Sequence, residues 1–179
     1  MNLKRVIIVV TVLALGIVCF AWRDIARERQ VTQRVFGGEV LRNALISSQS
    51  VLFARLHHTD AHPGGSEKLA DYAHSESLPV PGAQATVIKR LLQDPSSYDL
   101  RTDMSKDCIP DYGMLLTFQS LQHTVRVAIC FECKQLCTYD GNDDSAMPIA
   151  IADFDPAQKQ FAAFAKALFP TDSEIQALR

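Results

Sequence analysis

Apolar and polar residues alternate along this chain in more than one rhythm. From Val6 to Trp22 no charge occurs for 17 positions, a run apolar on every side that reads as a helix facing lipid. Val40, Leu41, Ala44 and Leu45 then recur at helical spacing. Val87, Ile88, Leu91 and Leu92 form a second stripe between Gly82 and Asp94 until Pro95 stops it. Phe161, Phe164, Ala165 and Leu168 make a third helical face. Asp155 is placed to cap that helix, Pro156 to fill its first position and Pro170 to end it, with a last short helix from Thr171-Asp172.

Between these stripes the period falls to two. Ser50 to His58 reads as a strand with Val51, Phe53 and Arg55 on one face, and Pro63-Gly64-Gly65 makes Thr59 to Ser66 a loop. Met114 to Ser120 and Thr124 to Phe131 alternate on either side of Leu121-Gln122-His123, the pattern of a β-hairpin. Leu136 to Tyr139 and Ile149 to Asp153, joined across Asp140-Gly141-Asn142-Asp143, predict a second hairpin in the same sheet. The fold class is therefore α+β, an antiparallel sheet of hairpins with helices packed on one face, plus an N-terminal transmembrane helix. Residues 1–22 are read as a signal or transmembrane anchor, 23–38 as a membrane-proximal spacer broken at Gly37-Gly38, and 39–179 as a single domain. A chain beginning near Gly38 is expected to fold.

Composition and charge narrow the classes of function. With 18 Lys+Arg against 20 Asp+Glu, no field steers the protein to nucleic acid. Lys4 and Arg5 ahead of the apolar run have the layout of an export signal. Cys19-Phe20-Ala21 is a poor cleavage site and Trp22 suits an interface. The favoured reading is thus an inner-membrane anchor through residues 6–22, with the domain in the periplasm or extracytoplasmic space. Secretion after cleavage is one alternative. A cytoplasm-facing domain is the other, because Arg23, Arg27, Arg29 and Arg34 outnumber the two basic residues before the run.

The chemistry gathers in the cysteines. Cys108, Cys130, Cys133 and Cys137 all fall between the middle helix and the second hairpin. A hairpin turning near Leu121-Gln122 opposes residues whose numbers sum to about 243, which sets Cys133 against Pro110, Cys130 against Gly113, and Cys108 within a residue or two of Cys133. Three chemistries fit. One is a structural disulfide from Cys108 to Cys130 or Cys133 in an oxidising compartment. Another is a zinc site, with the Cys130-x-x-Cys133 pair completed by Cys108 and Cys137. The third is a redox-active dithiol, disfavoured because Glu132 between the thiols opposes their ionisation and the following residues read as a strand rather than a helix. His57, His58 and His62 with Asp60 form a second, weaker metal set, since no Glu is placed as a base and a Pro-Gly-Gly turn follows at once. No nucleotide loop, nucleophile elbow or metalloprotease helix occurs, so an enzyme reading lacks a motif.

Cys108-Ile109-Pro110-Asp111-Tyr112-Gly113, the strand ending Ile129-Cys130-Phe131-Glu132-Cys133, and the closing segment from Asp153-Phe154-Asp155 to Leu168-Phe169-Pro170 carry a resemblance. They are similar to a family of uncharacterised, exported or membrane-anchored bacterial proteins with a Cys-Phe-x-Cys signature. Cys137 lies outside that signature. The resemblance implies one domain and no particular activity. The expected function is that of a non-catalytic envelope protein, binding or scaffolding at the membrane surface, with an envelope protein as candidate partner and no resident cofactor. A zinc-binding or redox-linked thiol protein is the alternative.

Overall fold

The computed structural model describes residues 3–59, 66–100, 106 and 108–179. Two-residue periodicity becomes strand wherever it was expected and in two short places more. The strands are β1 (Ser50–His58), β2 (Tyr72–His74), β3 (Leu78–Pro79), β4 (Met114–Gln119), β5 (Thr124–Cys130), β6 (Gln135–Asp140) and β7 (Ala150–Asp153). They form one antiparallel sheet in the order β2-β1-β4-β5-β6-β7, with β3 also paired to β1. In the central hairpin Met114 faces Ile129 and Gln119 faces Thr124, the register set by the tight connection between them. The expected loop over Thr59 to Ser66 lies mostly outside the described residues.

Helical spacing becomes helix at α1 (Leu3–Phe36), α2 (Glu39–Ile46), α3 (Gly82–Gln93), α4 (Gln158–Leu168) and α5 (Ser173–Ala177). All five belong with one face of the sheet. Val51 and Phe53 of β1, Met114, Leu116 and Phe118 of β4, and Val125, Val127 and Ile129 of β5 share a core with Leu45 of α2, Ile88 and Leu92 of α3, and Phe161 and Phe164 of α4. Two details depart from the sequence reading. Val87 points to solvent instead of joining the α3 stripe. Asp155 does not cap α4: a 3-10 turn, Asp155–Ala157, comes first, and the Asp155 carboxylate pairs with Lys106 and with Lys134, 3.7 Å away.

The opposite face of the sheet is also covered, which the alternation did not announce. Ala54, Leu56, Leu115, Ala128, Cys130, Cys137 and Tyr139 point there and are sealed by Leu69, Tyr72 and Tyr112. This second layer contains three of the four cysteines of the domain.

The N-terminal helix requires two corrections. The expected transmembrane helix is not supported, because among the described residues no helix is long and apolar enough to cross a membrane. What is described is an exposed apolar surface over Val12 to Trp22, about half the roughly 20 residues a span needs. The stretch read as a spacer, 23–38, is helical to Phe36, and its last turns enter the core. Val31, Val35 and Phe36 are at most 1 % exposed, and the Val35 carbonyl accepts a 2.6 Å hydrogen bond from Thr138 Oγ1 of β6. The domain therefore starts before residue 39. The helix is ended by a glycine: Gly37 has φ 69°, its N–H donates to Gln33 O at 3.1 Å, and the Gly38 N–H donates back to Thr32 O at 2.9 Å, satisfying two carbonyls of the last turns. A side chain at 37 would also run into Ile149, so this exit is specific to glycine twice over.

Candidate functional site

Four backbone segments place the cysteines. Cys130 ends β5, Cys133 sits in the turn of residues 131–134, Cys137 lies within β6, and Cys108 is on the stretch leading into β4. The turn is tight enough to put Lys134 at φ 56°, in the left-handed region. Carrying the hairpin register beyond Gly113 lays the Cys108 stretch alongside this turn, and Cys108 and Cys133 are joined by a disulfide with their Cα atoms 6.0 Å apart. Cys108 is thus bridged to one of its two expected partners. Lys106 secures the same turn, donating to the Cys133 carbonyl at 2.8 Å while pairing with Asp155.

Cys130 is left as a free thiol, fully buried beside the bridge. Its Sγ accepts hydrogen bonds from the N–H groups of Asp111 and Cys133, both at 3.3 Å. Burial pushes its pKa above the ordinary thiol value, against the opposing pull of backbone N–H groups at Cys133, Asp111 and Glu132. Cys137 is the other buried free thiol of the domain. It pairs with Ala128, two ladder positions from Cys130, among the tyrosines of the second layer. Burial raises its pKa to about 12, and a hydrogen bond with the Tyr112 hydroxyl opposes that only in part. Tyr112 and Tyr139 hydroxyls are 3.1 Å apart, Tyr139 donates to Glu67 O, and Tyr72 donates to Pro110 O at 2.8 Å. Burial raises the pKa of all three phenols, so this layer holds neutral hydroxyls and thiols.

The metal sets fare differently from the bridge. With two of its four sulfurs joined to each other, the tetrathiolate arrangement is not formed. His57 is exposed on β1, while His62 and the side chain of His58 lie outside the described residues. Among the described residues no group of three or more potential ligands converges.

The tyrosine layer and a cluster around Arg55 were missed in the sequence. Arg55 lies on the apolar face of β1 beside Val51 and Phe53, a position that should have signalled a buried ion network. Its Nη1 donates to Leu56 O and Gly113 O, both at 2.7 Å, its Nε to Asp172 at 2.8 Å and its Nη2 to Glu174 at 2.5 Å. Asp172 meanwhile caps α5 by accepting from Glu174 N and Ile175 N, each at 3.0 Å. A cleft of about 400 Å³ opens here, lined by Arg55, His57, Asp111, Phe131, Glu132 and Glu174. Burial opposes ionisation of Asp172, but the α5 amides and Arg55 together hold its pKa below the ordinary carboxyl range. In the unfolded chain it takes up a proton at higher pH than in the fold. The interaction is therefore complete above the ordinary carboxyl range and is lost as pH falls through the depressed value. Hydrogen-exchange protection factors of the α5 amides should fall across that window, and in Asp172→Asn the fall should disappear. An unchanged pH profile in the variant would show that Asp172 is not the group responsible.

Comparison with protein-family models, characterised proteins and solved structures finds no match for the chain.

Proposed function

We propose that this is a non-catalytic envelope protein: a disulfide-stabilised domain held at a membrane surface by its N-terminal helix, where it binds or scaffolds another envelope protein. The observation that carries the reading is the Cys108–Cys133 bridge, because disulfides persist in oxidising compartments and are rare outside them. Membrane attachment is supported by the apolar stretch of α1. Val12, Leu13, Leu15, Ile17, Val18 and Trp22 are exposed and go around the helix rather than along one stripe, which suits lipid better than a single partner helix. The uncharged run of 17 residues extends this stretch to Val6, close to the shortest that spans a bilayer. A buried arginine held by two carboxylates, a buried phenol layer and a bridged turn are devices of rigidity, which fits a scaffold.

Two measurements on the full chain test this. Membranes carrying it, washed with alkaline carbonate, should retain it in the pellet; release into the wash rules out attachment by a spanning helix. After denaturation without reductant, thiol titration should find Cys19, Cys130 and Cys137 reactive and Cys108 and Cys133 silent. Closing a separation of 25 residues should contribute about 3 kcal/mol, so reductant should lower the melting temperature. Five reactive thiols from the start, with zinc released on unfolding, would replace this reading with the metal-binding alternative.

A further inference from the structure

Three cysteines lie together at the end of the central hairpin, and a bridge uses only two of them. A structural disulfide needs no third cysteine three residues from one of its ends. Cys137 can be set aside, since it sits further along β6 among the tyrosines. Cys130 is different, because its Sγ is 3.3 Å from the amide nitrogen of Cys133, the residue that holds the inner end of the bridge. Cys130-x-x-Cys133 is also the spacing of a dithiol that can close on itself. Two backbone N–H groups already point at the Cys130 sulfur and offset part of what burial costs its thiolate. The solvent exposure is graded in the sense an exchange requires. Cys130 is fully buried, Cys133 is 4 % exposed, and Cys108 is open to solvent.

We propose that Cys108, Cys130 and Cys133 form a thiol–disulfide exchange centre, in which the bridge moves from Cys108–Cys133 to Cys130–Cys133 and frees an exposed thiol at Cys108. Cys130 gives up its proton and its sulfur attacks Cys133 Sγ. The new S–S bond forms as the Cys133–Cys108 bond breaks, and the electron pair leaves on the Cys108 sulfur, which takes up a proton. One thiol and one disulfide enter and leave, so the step is an isomerisation with no net oxidation. Its product differs from the starting form in two ways. The stretch from Cys108 to Gly113 is no longer covalently tied to the turn, and a buried, protected thiol has been exchanged for an accessible one. The resting bridge staples the fold, and the exchanged form presents Cys108 as a nucleophile to an external disulfide.

The test uses the full, oxidised chain in detergent, incubated under native conditions with N-ethylmaleimide and mapped by peptide mass spectrometry. In the wild type, Cys108 should slowly acquire the label while Cys130 and Cys133 become linked. Cys130→Ser keeps the resting bridge and removes only the attacking sulfur, so Cys108 labelling should fall by about tenfold or more. Cys137→Ser should label like the wild type. Cys108→Ser, oxidised with glutathione disulfide, should yield a Cys130–Cys133 bridge. Absence of Cys108 label in the wild type, equal labelling in Cys130→Ser, or a Cys108→Ser protein that keeps both thiols would each overturn the proposal.

Discussion

A chain that starts at residue 39 is expected to lose its cooperative unfolding transition, whereas one that starts at residue 26 keeps it. The shorter chain lacks Val31, Val35 and Phe36, all buried against the sheet, and burying each contributes roughly 1.5 to 3 kcal/mol. It also loses the acceptor for the Thr138 hydroxyl, which is left buried and unpaired within β6. Together these exceed half the stability of an ordinary small domain, about 5 to 15 kcal/mol in total. Thermal melts of both chains by circular dichroism decide the matter. If the two melt together, the last turns of α1 merely lie on a core that is complete without them.

The second large effect is expected at Phe161. Its ring centroid is 4.6 Å from that of Phe154, which in turn lies 6.4 Å from Phe131, so an aromatic run links α4 to the residue following Cys130. Phe161→Ala leaves a cavity in a fully buried position and should destabilise by about 3 to 5 kcal/mol. The exposed Val87→Ala should change stability by no more than about 0.5 kcal/mol. Urea midpoints at constant slope measure both. A loss at Phe161 no larger than at Val87 would mean that α4 lies free of the sheet.

Much of this architecture was legible because a single face decided it. The stripes Val125-Val127-Ile129 and Phe161-Phe164-Leu168 each set their bulky apolar residues on one side, and that period assigns them to strand and helix even though β5 is buried on its other face too. Hairpin register followed from the same logic, and with it the neighbourhood of Cys108 and Cys133. In β6 the period carries no facing information, because residues 135–139 are all buried. The tyrosine layer depends on contacts such as Tyr72 with Pro110, 38 residues apart, which no local pattern encodes. The end of α1 was misread for a related reason. Charged residues dominate Arg23 to Arg34, and the few apolar positions that dock, Val31 and Val35, are one turn apart and easily lost among them. Choosing between Cys130 and Cys133 as the partner of Cys108 was beyond sequence, since it turns on where the four-residue turn 131–134 points two side chains.

The Gly37 exit and the docked turns before it have a mechanical consequence. A helix of 34 residues is about 51 Å of stiff rod, and only nine positions, about 13 Å, separate Trp22 from Val31. No swivel intervenes: the rod is gripped by the sheet at one end and runs unbroken to its apolar tip. Tilting or twisting that tip must therefore turn the whole sheet through the same angle, like a key turned by its shank. The bearing of the Cys108 end of the central hairpin is therefore set from the far end of α1.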